Sequence, residues 1–248
     1  MKKISLFLSV VALSLASCSS DSDSSSSNNP SSDVLVKKIV YTSLTDEFTE
    51  TVNFTYNGNK LVKGVYADGT EEIYTYEGDL ITKIEMTNGG DANFTENFTY
   101  DSSGRLATYT FIEGDYTEVE TFAYNADGTV TATMGTGIGA WDRTYHFSNG
   151  ELIKIVDEFG TYDYTYDSKN SPFKNVTGYG KIAIVTHGDH EFFGRSQNIV
   201  SIHETSEDLN YMSNTMTYNA GNYPLTVNSE ADFGFGDLST ATLVYTYN

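Results

Sequence analysis

Hydrophobic and polar residues alternate along most of the chain after residue 33. In 48–56, Phe48, Val52, Phe54 and Tyr56 occupy one set of alternate positions, and threonine and asparagine occupy the other. The same period of two recurs in 80–86 and 94–100. A period of two with one polar face predicts antiparallel β-strands that bury one face of a sheet. No helical stripe longer than two turns follows residue 34.

The alternating segments belong to an internal repeat, in which an aromatic-x-aromatic triplet leads through a polar turn to an aliphatic residue. Eight such triplets begin at Phe54, Tyr74, Phe98, Phe122, Tyr145, Tyr164, Met216 (a variant with methionine first) and Tyr245. The first six lie 20, 24, 24, 23 and 19 residues apart, a spacing that accommodates one hairpin each. Asn-Gly, Asp-Gly and Glu-Gly-Asp turns supply residues that accept a positive φ. The repeat predicts a long meander.

The predicted fold class is all-β, an antiparallel meander of repeated hairpins forming a large twisted sheet that is barrel-like or partly open. An open sheet of sixteen or so strands would leave two exposed edges, and closure removes them. A membrane-spanning barrel needs strands of about 10 residues with an apolar outer band. The strands predicted here are short and carry Thr, Glu, Asp and Lys on their second face. The domain is therefore predicted not to span a membrane.

The segment Tyr100-Asp101-Ser102-Ser103-Gly104-Arg105-Leu106 resembles the YD (Rhs-type) repeat, whose core is a Tyr, an Asp or Asn, a Gly and an aliphatic residue. The stretch 164–178 and the segment Asn222-Tyr223-Pro224-Leu225 resemble a group of uncharacterised Bacteroidetes lipoproteins, some of them porin-like in fold. These resemblances imply a long antiparallel meander and no catalytic residues.

The N-terminal region divides into a signal peptide and a tether. Residues 1–17 carry Lys2 and Lys3, an uncharged apolar run and small residues, as in a signal peptide that is removed. Leu15-Ala16-Ser17-Cys18 resembles the bacterial lipobox, which implies lipidation of Cys18 and anchoring by acyl chains. Residues 18–33, rich in Ser and Asp, are predicted to be a disordered tether. A single all-β repeat domain is predicted over 34–248, without a disulfide, because Cys18 is the only cysteine.

The chain is strongly acidic, with 14 Lys and Arg against 34 Asp and Glu and a formal net charge of −20. Loss of Lys2 and Lys3 with the signal peptide lowers it to −22. The electrostatic field of such a negative net charge repels nucleic acid, and the charge favours solubility. The acidic residues after Cys18 resemble the export signal of surface-exposed Bacteroidetes lipoproteins. The expected location is the outer membrane, through the lipid at Cys18, with display at the cell surface.

Candidate ligand-binding residues are aromatic side chains in predicted loops, where an aromatic ring can stack on a sugar or anchor a partner protein. They are Trp141, Phe192, Phe193, Phe233 and Phe235. The alternative is that these rings serve burial. The region 178–210 breaks the repeat, and insertions in repeat arrays often form loops on a binding face. Within it, the run 181–185 has the composition of a strand.

Three of the four histidines, His187, His190 and His203, lie in this region among acidic residues. Imidazole and carboxylate groups can bind zinc, which makes the three histidines candidate metal ligands. Their spacing matches no established motif, and the alternative is a polar loop. The sequence contains no catalytic motif and predicts no cofactor.

Three functions remain open. The first is a non-enzymatic surface module that binds a glycan or a protein partner of the envelope. The second is a structural envelope lipoprotein with no small ligand. The third is a metal-dependent hydrolase that uses the three histidines. They rank in that order.

Overall fold

The computed structural model describes residues 33–89, 91–135, 139–185, 196–206, 208–232 and 238–248. The predicted signal peptide, Cys18 and nearly all of the tether lie outside these residues. The described chain forms one helix and sixteen strands, in the order β1 (Val36–Ser43), β2 (Phe48–Asn57), β3 (Lys60–Tyr66), β4 (Glu71–Glu77), β5 (Leu80–Asn88), β6 (Asp91–Tyr100), β7 (Leu106–Glu113), β8 (Tyr116–Tyr124), β9 (Val130–Met134), β10 (Trp141–Ser148), β11 (Glu151–Val156), β12 (Thr161–Tyr166), α1 (Tyr179–Ile182), β13 (Ile199–Glu204), β14 (Leu209–Tyr218), β15 (Pro224–Asp232) and β16 (Leu238–Tyr247). No helix in these segments is long and apolar enough to cross a bilayer.

The sixteen strands form one closed barrel in which each strand pairs with its neighbours in the sequence. Closure occurs between the first and last strands, where Ile39 of β1 pairs with Tyr245 of β16. All the pairings are antiparallel, as in the register of Ile39 opposite Val52 between β1 and β2. The predicted all-β antiparallel meander is confirmed, and of its two forms the closed barrel is the one observed.

Side chains alternate across the barrel wall as the sequence predicts. On β2, Phe54 is buried inside while its neighbour Thr55 is exposed. Threonines pair across strands on the outer face, and the Oγ1 atoms of Thr99 and Thr108 lie 2.6 Å apart. Such cross-strand threonine pairs stabilise a sheet and are compatible with water.

A β-bulge recurs at the same step of the repeat. In five hairpins and in the β12–β13 pair, the register shifts just before the last residue of the triplet, as between Thr55 and Tyr56 and between Thr99 and Tyr100. The extra residue lies on the partner strand, and in three hairpins it is an exposed aliphatic residue, namely Val62, Ile153 and Leu225. A bulge increases the local twist and bends the strand, which contributes to the curvature of the barrel.

In four copies of the repeat, the tyrosine that ends the triplet ties its strand to the preceding strand. The hydroxyls of Tyr56, Tyr100, Tyr124 and Tyr247 donate to the carbonyls of Val36, Ile81, Leu106 and Pro224, at 2.6–3.0 Å. These tyrosines are partly buried, and burial raises the pKa of Tyr56, Tyr100 and Tyr247. The YD-type repeat therefore carries a structural bond between successive hairpins.

The prediction of a strand over 181–185 is wrong. Lys181 and Ile182 end α1, and Ala183–Val185 form turns. Within this segment Ala183 N donates to Tyr179 O and Val185 N donates to Ile182 O. The adjoining strands β12 and β13 already pair with each other, so a strand here would have no ladder partner. Buried backbone groups must be paired, and helical turns meet that requirement locally.

Candidate binding site at the open end of the barrel

The two ends of the barrel differ in what occupies them. The hairpin turns at 58–59 and 78–79 lie at one end, here called the turn end. Residues 167–185, here called the plug, cover that end and enter the barrel. Thr177 N donates to Asn59 O at 2.9 Å, and a Cβ on Gly178 would lie 2.7 Å from Asp79 O. The plug therefore passes against the turns at van der Waals distance.

The apolar side chains of the plug complete the core of the barrel. Phe173 packs edge-on against Phe54 of β2, with ring centroids 5.7 Å apart, and stacks on Tyr179 at 4.8 Å. The fully buried members of this group are Phe173, Val176, Tyr179, Ile182 and Val185. The insertion was predicted to form loops on a binding face. Residues 178–185 of it instead fill the barrel, because their apolar side chains match the apolar inner wall near the turns, and β13 belongs to the wall itself.

Two carboxylates at the turn end hold the segments flanking the plug. Asp167, which follows β12, accepts hydrogen bonds from Lys169 N at 2.8 Å, Asn198 Nδ2 at 3.0 Å and the Tyr218 hydroxyl. Glu151, at the start of β11, accepts from Ser196 N at 2.9 Å and Gln197 N at 3.1 Å. Hydrogen bonds to a charged acceptor are stronger than neutral ones, so the plug is fixed where it leaves and rejoins the wall.

The other end, here called the open end, has an acidic inner wall. Its inner carboxylates are Glu50, Glu72, Glu96, Glu118 and Glu120, on β2, β4, β6 and β8. Glu72, Glu96 and Glu120 each stand two residues before the triplets that begin at Tyr74, Phe98 and Phe122. Sequence reasoning did not identify them. The signal was available, because residues two apart on a strand share a face and the triplets were assigned to the inside.

Tyrosine hydroxyls donate to these buried carboxylates. Tyr74 donates to Glu72 Oε1 at 2.7 Å, Tyr109 to Glu96 Oε1 at 2.7 Å, and Tyr145 to Glu120 Oε1 at 3.1 Å. Glu120 is 1% exposed. Burial raises the pKa of Glu120 to about 7, although the hydrogen bond from Tyr145 and the charge of Arg143 oppose the shift.

Among the described ion pairs, Arg143 on β10 is the one that brings positive charge to this inner wall, and its Nε lies 3.1 Å from Asp157 Oδ2. Several other cations pair on the outer face or at the turn end, in Lys63–Glu71, Lys83–Glu85, Lys154–Asp163, Lys60–Asp79 and Arg105–Asp101. The open end therefore has an excess of inner carboxylates.

A cavity lies in the inner wall near the open end, formed by β1–β4 and β16. It is small, with a volume of about 30 Å³, which is room for about one water molecule. Its lining comprises Ile39, Tyr41, Glu50, Val52, Phe54, Tyr66, Glu72 and Leu243. The lining is thus mainly apolar and aromatic with two carboxylates.

Exposed apolar side chains surround the open end. This rim consists of Leu44, Phe48, Tyr116, Phe159 and Leu238, all in loops or at strand ends on that side. Phe159 is the most exposed of them, at 68%. The hairpin turns opposite carry Gly, Asn and Asp. Exposed apolar groups with a polar surround mark interaction sites more often than scattered single residues do.

Trp141 is the candidate ligand-binding residue that the structure describes, and it lies half-buried at the rim. Its ring is edge-on to Phe159 with centroids 5.3 Å apart. The Arg143 guanidinium lies 5.0 Å from the centroid of the same ring. Trp141 therefore supports Phe159, which sequence analysis did not single out. Phe192, Phe193, Phe233 and Phe235 lie outside the described residues.

The metal prediction stays untested. His187 and His190 lie outside the described residues. His203 lies on β13 opposite Asp163, and its Nε2 is 3.3 Å from Asp208 Oδ1. In the described segments, no three His, Cys, Asp or Glu side chains are arranged to hold a metal ion.

Comparison with known proteins identifies the repeat. A family model described as Teneurin YD-shell matches residues 25–182, more than half of the chain. A solved structure of a porin-like protein from Bacteroides uniformis is 12% identical, with 86% of this chain and 98% of that chain covered and a TM-score of 0.40. A search of curated proteins finds no match. The YD-repeat resemblance is confirmed. The chain belongs to the Teneurin YD-shell family.

Proposed function

We propose that this chain is a lipid-anchored envelope protein whose barrel is a non-catalytic binding module, with its binding site at the open end. The difference between the two ends is the observation that carries the proposal. The plug fills the turn end, whereas the open end has a cavity, an acidic inner wall and an exposed aromatic rim.

The outer wall favours anchoring by lipid over insertion of the strands. The strands contain 5 to 10 residues, and threonine pairs such as Thr99–Thr108 and Thr217–Thr226 face outward. A lipid-facing wall requires an apolar band, and these hydroxyl pairs do not provide one. The lipobox at Cys18 supplies a different attachment, and the tether allows the barrel to stand away from the bilayer.

Anchoring and display are tested in cells. We expect the wild-type chain to incorporate labelled palmitate and to be removed by protease from intact cells. Cys18→Ala should abolish the label, and Ser17→Thr, which keeps the cysteine, should retain it. Labelling of Cys18→Ala would refute the lipid anchor. Protection of the lipidated protein from external protease would place it on the periplasmic side.

Binding is tested with a glycan array and with capture of envelope proteins on the purified chain. The expected ligands are a glycan or an envelope protein that contacts the rim. Phe159→Ala should weaken such binding about tenfold without unfolding the barrel, because this ring is exposed. Val244→Ala, which truncates an exposed residue on the outer wall, is the matched control. Equal effects of the two variants on binding would show that the rim is not part of the binding site.

A scaffold role is the second candidate, and the turn end favours it. The plug and the tyrosine–carbonyl bonds between hairpins make a rigid wall, and the YD-shell family fits a structural protein. Absence of any ligand from the glycan, protein and small-molecule screens would favour this function.

A further inference from the structure

Three side chains of β10 connect the rim of the open end to a buried carboxyl group. Trp141, Arg143 and Tyr145 are two residues apart, so they share the inner face of the strand. The Tyr145 hydroxyl donates to Glu120 Oε1 on β8 at 3.1 Å. The Arg143 guanidinium interacts with the same hydroxyl and lies 5.0 Å from the centroid of the Trp141 ring. Arg143 therefore stands between the buried carboxyl and the tryptophan.

Asp157 continues the connection from Arg143 into the loop that carries Phe159. Arg143 Nε lies 3.1 Å from Asp157 Oδ2. The other oxygen of this carboxylate accepts from Phe159 N at 2.9 Å and from Gly160 N at 3.1 Å. The Asp157 side chain is only 2% exposed, so water does not readily replace these bonds. One carboxylate and one guanidinium thus hold the loop around the most exposed ring of the rim.

Glu120 is a second carboxyl group within the field of Arg143. The charge of Arg143 favours the ionised form of Glu120, whereas burial opposes it and raises the pKa of Glu120 to about 7. The group therefore gains or loses its proton near neutral pH. Once Glu120 is ionised, two carboxylates compete for one guanidinium, because opposite charges at close range attract each other strongly in a poorly solvated site.

The other groups that face Glu120 supply no second cation among the residues that the structure describes. The apolar ones are Met134, which lies opposite Glu120 on β9, and Ile184 of the plug, which packs against the cluster around Tyr145. The titratable ones are Tyr109 on β7, Glu118 on β8 and, through the Tyr109 hydroxyl, Glu96 on β6. Arg143 is therefore the cation that responds when Glu120 ionises.

We propose that Arg143 positions Phe159 at the rim and that the proton on Glu120 regulates this positioning. With Glu120 protonated, Arg143 pairs with Asp157, and the loop 157–160 is held as observed. Loss of the proton to water draws Arg143 toward Glu120, weakens the pair with Asp157 and loosens the loop. The inference deepens the proposed binding function, on which the role of Phe159 as a ligand contact rests.

The first test uses Trp141, which is the only tryptophan of the chain. We expect its fluorescence, recorded for the full chain in phosphatidylcholine vesicles, to change with a midpoint near pH 7, because the guanidinium moves relative to the indole ring. Glu120→Gln should abolish this transition. Glu72→Gln is the matched control, because Glu72 is another buried carboxyl that accepts from a tyrosine at the same repeat position, and it should keep the transition. A transition that is absent from wild type, or unchanged in Glu120→Gln, would overturn the proposal.

Variants of two β10 residues separate positioning from structural support. Arg143→Lys keeps the cation and should retain the transition, whereas Arg143→Gln should abolish it. An arginine that only supports the fold would lower the stability of both variants without changing the pH profile. His146→Gln controls for a histidine on the opposite face of β10, since histidines titrate in the same pH range. Loss of the transition in His146→Gln would assign it to that histidine and overturn the proposal.

The second test follows the loop itself by hydrogen exchange and mass spectrometry. At pH 8 the segment 157–160 should exchange at least about threefold faster in wild type than in Glu120→Gln, because local opening exposes amides to exchange. At pH 5 the two chains should exchange alike, since Glu120 is then protonated in wild type. Equal exchange of the two chains at pH 8 would contradict the coupling.

Failure of this inference is distinguishable from failure of the proposed function. A glycan or protein ligand that depends on Phe159, together with no fluorescence transition, leaves the binding module in place and rejects the regulation. A transition that Glu120→Gln abolishes, together with no ligand, supports the coupling of Glu120 to the loop and rejects the binding module.

Discussion

The turn end and the open end are built from the same strands, yet one is filled and the other has an accessible cavity. In the repeats that begin at Tyr74, Phe98 and Phe122, the positions near the turn carry tyrosine and aliphatic residues, as in Tyr76 and Ile81, while the inner positions farther from it carry Glu72, Glu96 and Glu120. An apolar plug can fill the first region because apolar surfaces gain by mutual burial. It cannot fill the second without burying charge, which is costly unless that charge is paired.

The repeat therefore determines both the packing of the barrel and part of the polarity of its inner wall. Its aromatic triplet supplies the core and the inter-hairpin bonds, and in three copies the residue two positions earlier, Glu72, Glu96 or Glu120, adds a carboxylate to the inner wall. Stability is expected to depend on the turn end and ligand recognition on the open end. Four substitutions test this division.

The largest expected effect is that of Phe173→Ala at the plug. Phe173 is buried between Phe54 and Tyr179, and truncation of a buried phenylalanine costs about 3–5 kcal/mol of unfolding free energy. Phe159→Ala at the open end is the matched control, and its cost should be below about 0.5 kcal/mol because the ring is exposed. Denaturation in urea measures both. Equal losses for the two variants would contradict the division of roles.

The second effect concerns pH and the Glu120 carboxyl. Its pKa is raised from 4.5 to about 7 by burial, so the folded chain holds more protons than the unfolded chain between these values. The free energy of unfolding therefore falls as pH rises through this window. Glu120→Gln should remove that fall. The unfolding free energy of the variant minus that of wild type should therefore be about 3 kcal/mol more favourable at pH 8 than at pH 4. Urea denaturation across pH 4–8 measures this difference.

At the turn end, the Asp101 carboxyl should give a pH dependence of stability opposite in sign to that of Glu120. Hydrogen bonds from Arg105 N and its side chain lower the pKa of the partly exposed Asp101. Its contribution to stability is present at neutral pH and lost as pH falls through the lowered pKa. Asp101→Asn should therefore destabilise the chain at pH 7 and converge with wild type in acid. A Glu120→Gln profile parallel to that of Asp101→Asn would show that the two ends do not differ in their electrostatics.

Local patterns in the sequence account for much of the fold. Alternation, turn residues and the spacing of the triplets predict strands, hairpins and the meander, because these depend on neighbours along the chain. The plug was missed because the composition of 181–185 suits a strand as well as a buried turn, and the tertiary environment decides between them. Trp141 was identified as an aromatic residue, whereas its packing with Phe159 and Arg143 joins β10 to a distant loop.

The inner carboxylates were predictable from the sequence, although the sequence analysis did not identify them. Glu72, Glu96 and Glu120 recur at one repeat position, so their inward direction follows from alternation. The cavity does not follow from it. It depends on the closure of β1 against β16, which places Leu243 beside Tyr41 on the inner wall although the two residues are far apart in sequence.

The smallest expected effect tests the bond that joins successive hairpins. Tyr100→Phe removes the hydroxyl that donates to Ile81 O at 2.6 Å, and loss of one such bond costs about 1 kcal/mol. Tyr116→Phe at the open end removes an exposed hydroxyl that donates to Glu118, and its cost should be close to zero because water replaces the bond. Urea denaturation of the two variants at one pH compares them. A cost for Tyr116→Phe as large as that for Tyr100→Phe would mean that hydroxyl bonds stabilise both ends alike, and the tyrosine of the repeat would then have no special role at the turn end.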